Sequence, residues 1–166
     1  MKSAQYWIDH LDLRKHPEGG FFKEVYRSDE TLSGAHLPER YKGDRCFSTA
    51  IYFLITAGDY SRFHKIKSDE TWHFYEGNPL SLYVLHNEDH RLDHFSLGRE
   101  VAYGQQLQLT IPKNHWFGAA LAVDRGYALV GCTVAPGFDF TDFEMADRQE
   151  LITTFPQHKT IINMLT

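Results

Sequence analysis

Short strand-like segments separated by turn-forming residues fill most of this chain. About nine such segments, rich in β-branched and aromatic residues, lie between residues 21 and 134, and Gly, Pro, Asn or Asp follow most of them. No helix-length pattern separates them, which disfavours a parallel sheet with crossover helices. The sequence therefore predicts an all-β fold: an antiparallel sandwich, a jelly roll or a closed barrel. The predicted strands are 21–28, 48–55, 61–67, 70–76, 80–86, 92–97, 107–111, 116–123 and 127–134.

The two ends of the chain carry helical patterns instead. A short N-terminal helix is predicted to end before Pro17. Near the C-terminus, the patterns of 147–154 and 157–165 favour two helices interrupted by Pro156, which we expect to pack across an open end of the β-structure. The connection 29–47 is long for a compact domain, so we expect a lid, an arm or an additional hairpin there.

Size and composition bound the class of protein. A chain of 166 residues suits one domain, which we predict to span 1–166. Aromatic residues make up 14% of the chain, a share that suits pleated sheets and cavity walls. The formal net charge is −5. Because nucleic-acid binding depends on clustered Lys and Arg, no nucleic-acid partner is expected.

The sequence also bears on where the protein resides. No apolar run approaches the roughly 18 residues of a membrane-spanning helix, and the first residues lack the apolar stretch of a signal peptide, so no membrane association is expected. Cys46 and Cys132 lie far apart among apolar residues. We interpret them as buried free thiols in a reducing compartment, with a disulfide as the alternative, and predict a cytoplasmic protein.

Residues 58–77 resemble the first cupin motif, G-x5-H-x-H-x3-E-x6-G. His64 and Glu70 occupy the first His position and the Glu position, whereas Ile66 replaces the second His. The even spacing between His64 and Glu70 predicts that both side chains point into a barrel from adjacent strands.

A second cupin motif, G-x5-P-x-G-x2-H-x3-N, is matched loosely by residues 104–118, with Phe117 at the usual His position. The resemblance implies a metal site of three His and one Glu, of which only His64 and Glu70 remain. Two ligands are too few for a tight transition-metal site, so we predict neither a metal nor another cofactor. His115 has the strand parity to be a third ligand, so a site of His64, Glu70 and His115 stays open as a condition for metal binding.

Further stretches, 16–28, 48–54, 70–74 and 135–140, look like those of the cupin-5 family, which was once catalogued as a domain of unknown function. The resemblance runs over nearly the whole chain. It implies a double-stranded β-helix, the jelly-roll barrel of cupins, with an internal cavity and a dimeric assembly. The family has no established reaction, so this resemblance implies a fold rather than an activity.

Residues 19–27 also look like the first strand of the dTDP-sugar epimerase cupins, which need no metal and use a barrel His as base. His64 falls where that base would lie, although a clear Tyr acid and nucleotide-binding basic residues are not evident. We therefore expect His64 and Glu70 to be the catalytic acid/base pair, with a buried structural pair as the alternative.

Two arginines and three aromatic residues are the candidates for ligand binding. A guanidinium can bind a carboxylate or phosphate, and inward-facing aromatic rings can stack on a planar or sugar ligand. Surface ion pairs and ordinary core packing are the alternatives. The candidates are Arg27, Arg62, Trp72, Phe74 and Phe117.

The leading hypothesis is a metal-independent cupin that binds a small polar metabolite, such as a sugar or nucleotide sugar, and acts as an epimerase or isomerase. One alternative is a metabolite-binding or sensing protein without catalysis, and another is a metal-dependent oxygenase or decarboxylase. A homodimer is expected because pairing would cover the strand edges of a jelly roll. Fold alone does not choose among these functions.

Overall fold

Two antiparallel β-sheets packed face to face form most of the structure, a computed structural model that describes residues 2–166. In chain order the strands are β1 Arg14–Lys15, β2 Phe21–Arg27, β3 Thr31–Leu32, β4 Arg45–Cys46, β5 Thr49–Thr56, β6 Tyr60–Lys65, β7 Asp69–Gly77, β8 Leu80–Leu85, β9 Leu92–Leu97, β10 Gln108–Ile111, β11 Trp116–Leu121, β12 Tyr127–Ala135 and β13 Glu144–Met145. The six-stranded sheet has the order β1-β2-β5-β12-β7-β10, and the five-stranded sheet has the order β13-β6-β11-β8-β9. The predicted all-β jelly roll is confirmed.

Three short α-helices flank the sheets: α1 Ala4–His10, α2 Arg148–Thr154 and α3 Lys159–Met164. Short 3-10 turns lie at Gly34–His36, Val101–Tyr103, Phe140–Asp142 and Pro156–His158. Ser3 Oγ accepts a hydrogen bond from the Tyr6 N–H at 3.1 Å and thereby caps α1, while Asp147 caps α2 in the same way. The predicted helices at both ends of the chain are confirmed.

Every second side chain along the strands points into the space between the sheets, and these side chains form the main core. On β5, Phe53 and Ile55 point inward, while Leu54 between them points outward. From the opposite sheet, Leu82 and Val84 of β8 meet them in the same apolar cluster. This is the two-residue period expected of sheets with one face buried.

The C-terminal helices cover the outer face of the five-stranded sheet. Leu151, Phe155 and Ile162 pack there against Phe63 and Leu85, whose side chains point away from the main core. The expected position across an open end of the β-structure is therefore wrong. The reason is that β8 and β11 carry apolar residues on both faces and β6 carries Phe63 on its outer face, and the outer residues require a cover.

Helix α1 covers part of the outer face of the six-stranded sheet in the same manner. Trp7 packs beside Leu54, Tyr127 and Leu129, and its indole N–H donates to the Tyr127 hydroxyl at 2.9 Å. No helix among residues 2–166 is long and apolar enough to cross a membrane.

The connection 29–47 contains a small hairpin, in which β3 pairs with β4. Its second strand is anchored by Arg45, whose guanidinium donates two hydrogen bonds of 2.6 Å to the carboxylate of Asp142. Upstream, the Tyr41 hydroxyl lies 2.8 Å from Ser68 Oγ. The sequence analysis expected a lid, an arm or an additional hairpin in this segment, and the structure contains the hairpin.

Candidate functional site

A cavity opens between the inner face of the six-stranded sheet and strand β6. About 630 Å³ of space lies within the cavity and its mouth, and this figure includes space that is open to solvent. Carboxylates and imidazoles lie on one part of its wall, and aromatic rings on the rest. The lining residues are His16, Glu18, Phe22, Glu24, Arg27, Thr49, Ile51, Phe53, His64, Ile66, Glu70, Cys132, Val134, Phe138, Phe140 and Phe143.

His64 is held in one orientation from within β6. Its Nδ1 lies 2.7 Å from the carbonyl oxygen of Arg62, which can only accept, so Nδ1 carries the proton in the neutral ring. Nε2 then offers a lone pair to Glu18 Oε2, 3.2 Å away. Burial lowers the pKa of His64, because an imidazolium is poorly solvated in this position.

Glu18 is the direct partner of His64, and the sequence analysis did not single it out. The side chain is buried, and its Oε1 accepts a hydrogen bond of 2.7 Å from the Ser61 hydroxyl. Burial raises the pKa of Glu18, because a carboxylate is poorly solvated in this position. A proton on Oε2 satisfies the His64 Nε2 lone pair, and the two side chains therefore share one proton across the 3.2 Å contact.

His16 completes this group from the same turn. Its Nδ1 accepts from the Glu18 backbone N–H at 3.3 Å and lies 3.4 Å from Glu18 Oε2, so the proton of the neutral ring sits on Nε2. The ring packs edge-on against Phe22, with 4.5 Å between ring centroids. Burial lowers the pKa of His16 and keeps its imidazole neutral.

The turn at residues 16–20 is fixed against β6, and this positions Glu18. Arg62 donates from its backbone N–H and its Nε to the Glu18 carbonyl, at 2.9 and 3.2 Å. Asp59 Oδ2 accepts from the Gly20 N–H at 3.1 Å. Gly19 has φ of +116°, and a Cβ there would overlap the carbonyl oxygen of Tyr60, so this position requires glycine.

Glu70 reaches the cavity from β7, in the sheet opposite the one that carries His64. The expectation that the two lie on adjacent strands is wrong, because the chain crosses between the sheets at residues 66–68. Burial raises the pKa of Glu70 to about 7, because a carboxylate is poorly solvated there. The Cys132 thiol and Trp72 indole beside the carboxyl act in the opposite direction. Glu70 therefore titrates near neutral pH inside an apolar enclosure.

Aromatic rings from two segments form the rest of the wall. Phe22 and Phe53 come from β2 and β5, whereas Phe138, Phe140 and Phe143 come from the segment 136–143 that follows β12. We call this segment the aromatic flap. Its base is fixed by the buried ion pair of Asp142 with Arg45, and Phe140, 54% exposed, stands at the cavity mouth.

Arg27 also reaches the mouth of the cavity, as its candidate role requires. The ladder between β2 and β5 shifts register between Glu24 and Tyr26, which places both Glu24 and Arg27 on the cavity side. The guanidinium forms two hydrogen bonds with Glu24, at 3.0 and 2.8 Å, and one of 3.1 Å with the Phe138 carbonyl. Arg27 therefore links strand β2 to the aromatic flap.

Arg62 lies outside the cavity, although it shares sequence parity with His64. Phe117 on β11 pairs with His64, and Ala119 pairs with Ser61, so two residues of β6 stand opposite one of β11. This β-bulge turns Ser61 and His64 inward and leaves Arg62 exposed. Its role is to hold the turn that carries Glu18.

The three aromatic candidates lie in the core rather than on the cavity wall. Trp72, Phe74 and Phe117 belong to the main apolar cluster, and none of them lines the cavity. Phe117 packs against the His64 ring, with 4.1 Å between centroids. Trp72 Nε1 is buried without a hydrogen-bond partner, although it lies close enough to Glu70 to lower the pKa of that carboxyl.

The residues around His64 do not fit the metal site of cupins. Two of the positions that the motif assigns to His carry Ile66 and Phe117, both buried apolar side chains. His115 does not approach the cavity, since its Nε2 lies 3.0 Å from His86 Nδ1 in a different part of the molecule. The conditional set of His64, Glu70 and His115 is thus not brought together.

Comparison with known proteins agrees with this geometry. Residues 5–146 match a protein family described as "Cupin superfamily (DUF985)". The chain belongs to the Cupin_5 family. The uncharacterised protein YML079W of Saccharomyces cerevisiae is 31% identical to this chain over 150 residues, which cover 84% of this chain and 73% of the yeast protein.

Solved structures extend the comparison. Protein SO0799 from Shewanella oneidensis is 38% identical with a TM-score of 0.88, and the alignment covers 100% of this Cupin_5 chain and 98% of that chain. A hypothetical protein from Leishmania major is 35% identical with a TM-score of 0.91, and the alignment covers 99% of both chains. Oxalate decarboxylase from Bacillus subtilis is 13% identical with a TM-score of 0.54, over 94% of this chain and 37% of that one, and so shares the fold alone.

Sequence reasoning missed His16 and Glu18, and a signal for them was present. Both lie in the stretch 16–28, where they flank Pro17 and precede two glycines. A charged residue inside a Pro-Gly turn is usually a solvent-exposed one. They are buried because that turn closely approaches β6, and no local sequence pattern predicts this approach.

Proposed function

We propose that this Cupin_5 protein binds a small polar metabolite that has a carbonyl group and catalyses proton transfer on it without a metal ion. The observation that carries the proposal is a buried carboxyl, Glu70, with a pKa of about 7 in the same cavity as the proton-sharing pair Glu18 and His64. A general base works best when its pKa lies near the operating pH. The proposed class is an epimerase or isomerase.

The two acid/base groups have complementary roles in the proposed reaction. The ionised Glu70 carboxylate removes a proton from the carbon next to the carbonyl, and the C–H electron pair becomes the C=C bond of an enol. The carbonyl oxygen takes the proton held between Glu18 and His64. For epimerisation, solvent water protonates the carbon on the opposite face, the enol hydroxyl returns its proton to Glu18 and His64, and Glu70 releases its proton to solvent. For isomerisation of an α-hydroxy carbonyl compound, Glu70 returns its proton to the former carbonyl carbon, and the neighbouring hydroxyl gives its proton to Glu18 and His64. The acid in this scheme is Glu18 with its partner His64, and the base is Glu70, whereas the resemblance to the epimerase cupins placed the base at His64.

A sugar or nucleotide sugar is the proposed ligand class. The rings of Phe22, Phe140 and Phe143 offer apolar faces against which a sugar ring or a base can stack. Arg27 at the mouth suits a phosphate or carboxylate, provided that the ligand anion displaces Glu24 from the guanidinium.

The test is solvent deuterium uptake into a panel of keto sugars and nucleotide sugars, followed by mass spectrometry. We expect uptake with the wild-type protein and a loss of about 100-fold or more in Glu70→Gln, because general acid–base catalysis contributes that much. Glu144→Gln is the matched control, since Glu144 pairs with Lys65 at the surface. Full uptake by a folded Glu70→Gln protein would refute the mechanism.

A binding or sensing protein without catalysis is the second candidate. It is favoured by the complete internal pairing of Glu18, whose oxygens contact Ser61, His16 and His64 and need no ligand. Thermal-shift measurements against the same panel separate the two functions. A ligand that raises the melting temperature but never gains deuterium supports this second candidate and contradicts the first.

The cytoplasmic location predicted from the sequence remains a proposal. Cys46 and Cys132 are both free and buried, which suits a reducing compartment. Fractionation of cells that express a tagged chain tests it, and recovery outside the cytoplasm would contradict it.

A further inference from the structure

A second cluster of titratable side chains lies well away from the cavity, where two turns meet. His86 follows β8, Glu88 lies in the turn between β8 and β9, and His115 ends the turn before β11. Leu85 pairs with Trp116 in the ladder between β8 and β11. Because of this register, His86 and His115 lie directly beyond the same end of the ladder.

In each of the two imidazoles, one nitrogen faces an oxygen that accepts a hydrogen bond. His86 Nε2 lies 2.8 Å from Asp93 Oδ2, and His115 Nδ1 lies 3.1 Å from the carbonyl oxygen of Lys113. A carboxylate and a carbonyl only accept, so both of these nitrogens are donors. In the neutral rings, His86 Nδ1 and His115 Nε2 are therefore both lone pairs.

These two lone pairs face each other at 3.0 Å. The two imidazoles supply two acceptors and no donor to this contact, and the donor nearby is Arg91, whose Nη2 lies 3.2 Å from His86 Nδ1. The Glu88 carboxylate lies 3.8 Å from His115 Nε2, and the three ligand atoms lie within 4.8 Å of one another. Two imidazole nitrogens and one carboxylate oxygen thus lie close together.

We propose that His86 Nδ1, His115 Nε2 and the Glu88 carboxylate bind a zinc ion. Zinc binds imidazole nitrogen at about 2.0–2.1 Å, which places two nitrogen ligands of a tetrahedral ion about 3.3 Å apart. The observed 3.0 Å separation of the nitrogens needs only a small adjustment. The exposed Glu88 carboxylate, 3.8 Å from His115 Nε2, must move closer. The fourth position is left for water.

The surroundings support this role. Asp93 holds the metal-binding tautomer of His86, the arrangement in which a carboxylate orients a metal-binding imidazole. Arg91 Nη2 lies 3.2 Å from both nitrogens of the His86 ring and must move aside. It is exposed, and its ion pairs with Asp89 and Asp93 can persist when it does so.

The site shares no residue with the cavity, so the inference is independent of the proposed function. Bound zinc would join the β8–β9 turn to the β10–β11 turn. A ligand that binds only the folded chain stabilises it, so zinc would also raise the melting temperature.

The experiment is calorimetric titration of the metal-stripped full-length protein with zinc chloride. We expect one site per chain, with affinity lowered at least tenfold in His115→Gln. His94→Gln is the matched control, because His94 is a surface imidazole stacked on Tyr83, and it should bind zinc as wild type does. Equal binding by His115→Gln and wild type, or no binding at millimolar zinc, would overturn the proposal.

A positioning variant and a stability readout complete the test. Asp93→Asn keeps all three ligands but lowers the affinity about 10–100-fold if the carboxylate orients His86. Zinc should raise the melting temperature of wild type and His94→Gln, but not that of His115→Gln. A zinc-dependent rise of equal size in His115→Gln would place the metal elsewhere and would contradict the assignment.

Discussion

At the scale of single residues, the site depends on titratable groups whose pKa values are shifted by burial. Burial raises the pKa of Glu18 and Glu70 and lowers that of His16 and His64. The pKa values of this group are thereby shifted towards neutral pH, where a small change in the surroundings alters the protonation state. Isolated substitutions can measure each of these effects.

Replacement of Glu70 by Gln should change how stability depends on pH. The pKa of Glu70 rises from 4.5 to about 7 on folding, so the folded state holds a proton that the unfolded chain releases between these values. Through Glu70, wild type therefore loses about 3 kcal/mol of stability as pH rises through this window, and Glu70→Gln lacks that contribution. His64 acts in the opposite sense below its ordinary pKa of 6.5, but it is present in both proteins. Denaturant unfolding from about pH 5 to pH 8 measures the difference, and a constant difference would contradict the prediction.

Gly19 should tolerate no side chain. Gly19→Ala forces a Cβ into the Tyr60 carbonyl oxygen at φ of +116°, and we expect a loss of about 3 kcal/mol or more. Gly58→Ala is the control, because Gly58 also has positive φ, +81°, but nothing lies within 4 Å of its Cβ position. It should cost about 1–2 kcal/mol. Equal losses in the two variants, measured by urea unfolding, would show that the close approach of the turn is unimportant.

At the scale of elements, two register shifts decide which side chains face the cavity. The bulge on β6 turns His64 and Ser61 inward and Arg62 outward. The shift on β2 brings Glu24 and Arg27 to the same side. Strict alternation is the only guide that sequence offers, and it fails wherever two residues stand opposite one.

The aromatic flap depends on one buried ion pair. Asp142→Ala leaves the Arg45 guanidinium buried without its carboxylate, and we expect a loss of about 3–5 kcal/mol together with faster proteolysis of segment 136–143. Glu144→Ala removes an exposed partner of Lys65 and should cost at most about 1 kcal/mol.

A double variant separates the contribution of charge from that of packing to stability at Arg45 and Asp142. Arg45→Met with Asp142→Leu fills similar volume without burying charge, so it should recover most of the stability. If Asp142→Ala costs no more than Glu144→Ala, the ion pair does not anchor the flap.

At the scale of the whole molecule, packing of two sheets brings together groups from distant parts of the chain. Glu18 comes from a turn before β2, His64 from the five-stranded sheet and Glu70 from the six-stranded sheet. The outer faces are covered by helices only in part. Val25, Tyr26 and Phe47 expose large apolar side chains on β2 and on the residues that lead into β5.

We propose that a second copy of the chain covers this surface, in line with the homodimer predicted from the sequence. Light scattering during gel filtration should give about 39 kDa, twice the 19.3 kDa of one chain. Tyr26→Asp should lower this mass to that of one chain, whereas Tyr103→Asp, at an 85% exposed position, should not. A wild-type mass of one chain would contradict the dimer.

The sequence determined the fold because strand-forming segments, turn residues and the cupin-like spacing of His64 and Glu70 are local or repeated signals. It also identified Ile66 and Phe117 as replacements for metal ligands, since that inference needs only alignment to a motif. Only the tertiary structure placed Glu18 beside His64, set Arg62 outside and drew Phe138, Phe140 and Phe143 over the mouth. These results depend on a turn that approaches a strand, on bulges and on the ion pair that anchors the flap. That ion pair joins Arg45 and Asp142, which lie 97 residues apart in the sequence. The sequence pattern of each of these segments gives no information about the segment that it contacts.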